Sequence, residues 1–218
     1  DRPEELRRLY LRVEGAAGEG TRTAPWIPYL TAEAIRTTST GFSSAALFRR
    51  ADGLFGVGDD LRPVSISVVG PGFFDVLGTR PALGRFPASD REIVVSHELW
   101  TEVWGSDLGV IDTTVEVDGE LWTVAGVAPP GFSGPLLQIA DLWRPLDLDA
   151  AGSRNWQVVA RLPTSDPLSP AEARATQEAN DIHRRTDPGR FFGWAREATV
   201  IAAPISADDE ANPPAEAA

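Results

Sequence analysis

The sequence has no cysteine, no methionine and no lysine, and only two histidines in 218 residues. Without cysteine there is no disulfide, no thiol nucleophile and no thiolate metal site, and the absence fits an oxidising compartment where stray thiols are a liability. A natural full-length chain starts with methionine, so this one is expected to be processed or cut from something longer. With every cation among the 20 supplied by arginine, the lysine of a phosphate-binding loop is missing. No G-x-G-x-x-G occurs either, so neither route to a nucleotide is open. His97 and His183 have no metal-ligand spacing, and Asp59/Asp60 and Asp147/Asp149 lack the glycine and distal glutamate of a calcium loop, so no metal or other cofactor is expected. No apolar run approaches the roughly 18 residues of a membrane span, and no signal-peptide pattern opens the chain. Positive charge is scarce as well: a formal charge of −12 and an isoelectric point near 4.6 remove the attraction that holds nucleic acid.

What is present is ordinary globular material, 42% apolar and 24% charged, enough for one large or two small domains. Val68 to Arg85 organises the rest. An apolar run ends at Gly70-Pro71-Gly72, a short helical turn carries Phe73, Phe74 and Leu77, and Gly78, Pro81 and Gly84 break up the residues beyond it. These nine residues read as a joint, a hinge and packing element between two layers. Before it, Leu9 to Val13, Ala45 to Arg50, Leu54 to Val57 and Val64 to Gly70 read as strands, with Ala51-Asp52-Gly53 as a hairpin connection and Thr31 as the cap of a short helix.

After the joint, Glu92 to Val95 reads as a strand and Ser96 as the cap of a helix that sets Leu99, Trp100, Val103 and Trp104 on one face and stops at Gly105. Asp118-Gly119 predicts a two-residue hairpin pairing Val117 with Glu120 and Val115 with Trp122. Asp141 to Leu146 reads as extended, with Pro145 placing it at a sheet edge. Trp156 to Leu162 is a strand, and Ser169-Pro170-Ala171-Glu172 a capping box opening a helix with Ala171, Ala175, Ala179 and Ile182 on its packed face. Ala198 to Ala202 is the last strand, and residues 206–218 read as a linker or tail.

Catalytic patterns are weak. Ser96-His97 is the one adjacent nucleophile and base, but it lacks the G-x-S-x-G elbow, and Ser96 is better explained as a helix cap. His183, beside Arg184 and Arg185, reads as part of a solvated face. Trp100, Trp104, Trp122, Trp143 and Trp156 form a stacking platform for sugars or a packed core, and their inward placement favours the core. No enzyme is expected from these residues. The alternative is a free extracellular binding module or hydrolase built on the Trp-rich unit.

Val69-Gly70-Pro71-Gly72-Phe73-Phe74-Asp75-Val76-Leu77-Gly78, Arg80 to Phe86, Ile93 to Trp100 with Trp104-Gly105, Val115 to Phe132, Asp141 to Leu146 and Val159 to Leu162 succeed one another in a specific order. Over Leu6 to Ile205 they resemble the extracytoplasmic core domain of MacB-like and FtsX-like ABC-transporter permeases. Asp112 departs from the pattern, standing where relatives usually have glycine.

That resemblance implies an α+β fold of two small subdomains. One is a split, porter-like α/β sandwich from residues 1–70 and 141–205; the other is a strand-helix-hairpin unit inserted at 71–140. It also implies a non-catalytic domain of a cell-membrane protein, lying on the periplasmic or outer side, that couples cytoplasmic ATP hydrolysis to export or to a periplasmic partner. The implied partners are an ATP-binding subunit or domain, a periplasmic adaptor or carrier protein, and a second permease copy or homologue in a dimer.

Overall fold

A computed structural model describes residues 2–14, 20–38, 40–136, 140–147, 155–163, 167–186 and 197–205. The fold is α+β. The chain divides into two compact units, Asp1–Leu47 with Leu148–Ala218, and Phe48–Asp147. These limits lie outside the 70/71 and 140/141 positions read from the sequence. The reason is pairing: the strand before the joint and the strand after the insert lie side by side, so both group with the segment between them.

The first unit opens with β1 (Leu6–Glu14), β2 (Thr21–Ala24), β3 (Ile27–Pro28) and α1 (Tyr29–Thr37). α1 begins at Tyr29 because Pro28, at φ −55°, already sets the turn into the helix. Thr31 therefore sits buried inside the first turn and does not cap it.

In the second unit β4 (Ser44–Phe55), whose first four residues belong to the first unit, is succeeded by β5 (Arg62–Val69), α2 (Phe73–Leu77), β6 (Leu83–Gly84), β7 (Glu92–Val95), α3 (His97–Trp104), β8 (Thr114–Val117), β9 (Glu120–Val127) and β10 (Leu142–Pro145). β5 lies between antiparallel β4 and parallel β10. β7 runs antiparallel to β10 and parallel to β9, and β6 closes the far side of β9.

β4 runs unbroken through Asp52-Gly53, where a hairpin was expected. Gly53 is there for close approach: a Cβ would lie 2.5 Å from Ile66 Cδ1 and 2.9 Å from the Asp118 carboxylate. That carboxylate accepts from the Leu54 N–H at 2.8 Å, docking the tip of the β8–β9 hairpin on β4. The hairpin itself has the expected register, with Asp118 and Gly119 at φ 55° and 78°. β10 is interior and not an edge. Pro145 is tolerated because β7 pairs only with Leu142 and Trp143, so no partner waits where the missing N–H would point.

The chain returns to the first unit through β11 (Asn155–Arg161), α4 (Leu168–Thr186) and β12 (Ala198–Pro204). β1 pairs with β12 along one side and with β11 and then β2 along the other. α4 begins at Leu168, ahead of the expected cap, and Glu172 Oε1 accepts from the Ala202 N–H at 2.8 Å, so the expected capping box does not form. The buried line is Ala171, Ala175, Ala179 and then His183, since the packed face advances four residues at a step. His183 is thus buried and not part of a solvated face, and Ile182 lies beside the line. Among the described residues no helix is long and apolar enough to cross a membrane.

Candidate functional site

The stretch from Gly70 to Gly84 lies wholly inside the second unit. β5 delivers Gly70, which is buried, and the chain turns through exposed Pro71 and Gly72. α2 is a single short turn because Gly72 and Gly78 flank it in left-handed conformations, at φ 77° and 67°. With four of its five residues buried, it works as a plug whose inward side is Phe73, Phe74, Val76 and Leu77. Pro81 is half-buried and Gly78 exposed.

Gly84 is required by contact as well as by its φ of 71°, because a Cβ there would lie 2.3 Å from the Ala125 carbonyl oxygen on β9. The Arg85 N–H donates to that same carbonyl at 2.9 Å, and Ala82 donates to Val127 at 2.8 Å. The stretch leaving α2 is therefore stitched to β9, not left free.

The plug seats in an aromatic cluster. Phe73 packs on Phe48 of β4 at 5.8 Å between ring centroids and edge-on against Phe74 at 5.3 Å. Phe74 stacks on Phe86 at 4.0 Å with the planes 4° apart, and lies 6.3 Å from Trp143 of β10. Phe132 completes the group, 5.2 Å from Trp143. Offset and edge-on ring contacts of this kind add to simple burial. Phe48, Phe86, Phe132 and Trp143 are not legible as members from the sequence, being spread over nearly a hundred residues. The only signal is that Phe86 and Phe132 each sit just beyond a breaker-rich turn.

A second aromatic, Trp122 on β9, is flanked by two guanidinium groups, Arg91 at 5.4 Å and Arg144 at 5.6 Å from its ring centre. The tryptophans serve mainly as core: Trp143, Trp156, Trp122 and Trp100 are all buried. No row of them is presented for a sugar among the described residues.

Ser96 Oγ accepts from the Leu99 N–H at 3.0 Å and is buried as the cap of α3, while the His97 ring packs edge-on against Trp100 at 5.3 Å. The pair is thus spent on starting a helix. A recess of about 370 Å³ lies between the β4–β5 connection and α3, lined by Asp59, Asp60, Arg62, Leu99, Glu102 and Asp141. Arg62 bridges Glu102 at 2.6 Å, and Asp141 accepts from the Ser65 N–H at 2.7 Å. Among the described residues no group of three His, Cys, Asp or Glu is placed to hold a metal. Asp149 lies outside the described residues, as do residues 206–218.

The profile of the MacB-like periplasmic core domain family matches residues 4–178. The chain belongs to this family. Comparison with curated proteins gives no match. Among solved structures, this MacB-like core domain is similar to a domain of a putative permease from Porphyromonas gingivalis, with a TM-score of 0.72 at 14% identity, covering 94% of this chain and 91% of that one. It is also similar to the periplasmic region of MacB from Actinobacillus actinomycetemcomitans, with a TM-score of 0.63 at 15% identity over 90% and 88% of the two chains. The extracellular domain of the noncanonic ABC-type transporter YknZ from Gram-positive bacteria gives 0.63 at 14% identity, over 89% and 99%. At such identities the likeness is one of fold. Asp112 adopts φ 64°, a left-handed conformation that glycine takes up without strain.

Proposed function

We propose that this domain is a non-catalytic, extracytoplasmic part of an ABC-transporter permease, coupling ATP hydrolysis in the cytoplasm to export or to the movement of a periplasmic partner. The observation that carries the reading is the family match across residues 4–178, supported by a fold shared with two transporter domains and a permease domain. An ATP-binding subunit or domain supplies the energy, the intact permease is a dimer, and an adaptor or carrier protein receives the motion.

The work asked of such a domain is mechanical: a displacement must be passed on without being absorbed. Phe73, Phe74, Phe86 and Phe132 come from residues 71–140, whereas Phe48 and Trp143 come from the flanking strands. The cluster thereby fastens the 71–140 insert to β4 and β10. In this reading Gly70, Pro71, Gly72, Gly78, Pro81 and Gly84 shape the joint, and Phe73, Phe74 and Leu77 fix its angle.

The test uses the intact gene. Hydrophobic segments long enough to span a membrane are expected on both sides of this segment, and their absence ends the proposal. Removing residues 4–205 from the reconstituted permease with its ATP-binding subunit is expected to leave ATP hydrolysis measurable and to abolish transport. Transport that survives the deletion overturns the coupling role.

A further inference from the structure

β12 lies at the end of the strand order of its sheet, and among the described residues its strand partner is β1. In a strand, successive N–H groups point to opposite edges, so every second amide of β12 faces away from β1. An open edge of that kind is a template for another strand. Here each outward amide has a side-chain partner on α4. Ala198 donates to Asn180 Oδ1 at 3.0 Å, Val200 to Thr176 Oγ1 at 2.9 Å, and Ala202 to Glu172 Oε1 at 2.8 Å. Asn180 also donates through Nδ2 to the Ala198 carbonyl at 2.8 Å, so one side chain takes both backbone groups of that residue.

The match is geometric. Glu172, Thr176 and Asn180 are four residues apart on the helix, a rise of about 6 Å per step. Their partners 202, 200 and 198 are two residues apart on the strand, about 6.8 Å per step. Helix and strand run in opposite directions, so three polar teeth meet three amides in order. Each tooth directly succeeds a buried alanine, at 171, 175 and 179, and these small side chains let the helix axis come close enough for short side chains to reach the strand.

We propose that α4 stands in for a neighbouring strand: Glu172, Thr176 and Asn180 occupy the outer hydrogen-bonding edge of β12 and close it to strand addition by a second copy of this chain. A second copy is the relevant competitor because β12 is rich in strand formers, Thr199, Val200 and Ile201, and an antiparallel pair of identical strands is two-fold symmetric and closes on itself.

The experiment compares the 218-residue chain with the triple variant Glu172→Ala, Thr176→Val, Asn180→Ala by amide hydrogen exchange and by sedimentation over a range of concentrations. In the variant the amides of 198, 200 and 202 are expected to exchange about ten-fold faster, while those of 199, 201 and 203, which face β1, change far less. A dimer absent from the parent is expected to appear as concentration rises. Unchanged exchange at 198, 200 and 202 overturns the proposal, and so does faster exchange with no added self-association. Should the triple variant not fold, Asn180→Ala alone decides: exchange that quickens at Ala198 and not at Thr199, together with a dimer that grows with concentration, supports the guard, and the lack of either overturns it.

Discussion

The two units solve one problem, covering a sheet with a helical element, by opposite means. In the first, α4 presents alanines and short polar side chains, so the helix lies close and its hydrogen bonds reach the strand backbone. In the second, α2 is a single turn that cannot cover much by its backbone, and aromatic rings extend its reach to β4, β10 and two loops. Close approach gives many small, directional contacts. Large rings give a few contacts of large area, on which more depends individually.

If that contrast holds, truncating a ring in the second unit should do the greatest damage. Phe73→Ala removes a ring that is 1% exposed and touches both Phe48 and Phe74. Its expected cost is about 3–5 kcal/mol in denaturant unfolding tracked by tryptophan fluorescence. A loss below about 1 kcal/mol would mean that the cluster is not what holds α2.

The first unit should instead fail by excess. Ala179→Leu, at a position with no exposure, forces the helix away from the strand, with an expected cost of about 1–3 kcal/mol and faster amide exchange along β12. Phe73→Leu, by contrast, should be milder than Phe73→Ala. If Ala179→Leu were neutral, close approach would not be the principle of that packing.

Smaller again is the cap of α3. Ser96→Ala leaves the Leu99 N–H without its acceptor and should cost about 1 kcal/mol by thermal unfolding. Ser96→Asp should restore most of it, as expected of a cap and not of a nucleophile.

How far the sequence discloses the structure depends on the range of the interactions. The Ser96 cap, the Asp118-Gly119 hairpin with its register, and α2 between its glycines are set by neighbours within a few residues, and each is readable. Gly53 reads wrongly as a turn because its reason is Asp118, far along the chain. Pro145 reads wrongly as an edge because the length of β7 decides it. Glu172 reads wrongly as a capping partner because the competing donor, Ala202, lies in another element. The buried residues of the joint are visible as an apolar turn, but their ring partners are not, since aromatic packing leaves no periodic trace in sequence. His183 is hidden by the two arginines next to it.

The smallest expected effect concerns charge. Glu92 accepts from both terminal nitrogens of Arg85, each at 2.6 Å, and from the Ala88 N–H at 2.7 Å. The Arg85 guanidinium first, and the Ala88 amide second, hold its carboxyl down from an ordinary 4.5 to about 2. A carboxylate whose pKa is lower folded than unfolded adds stability above the unfolded value and loses that contribution as pH falls toward the folded one. The window here therefore runs from about pH 4.5 down to about pH 2. Glu92→Gln should flatten the decline in stability across that window, and the difference should shrink in high salt because Arg85 is half exposed. In the first unit Arg2, and then Arg161, lower Glu5 in the same direction, so Glu5→Gln should flatten the acid limb there. The comparison between units is sharpened by exposure: Arg2, the main partner of Glu5, is more exposed than Arg85, 68% against 51%, so the Glu5 effect should be the more sensitive to salt. Equal salt sensitivity of the two variants would show that burial does not set the strength of these pairs.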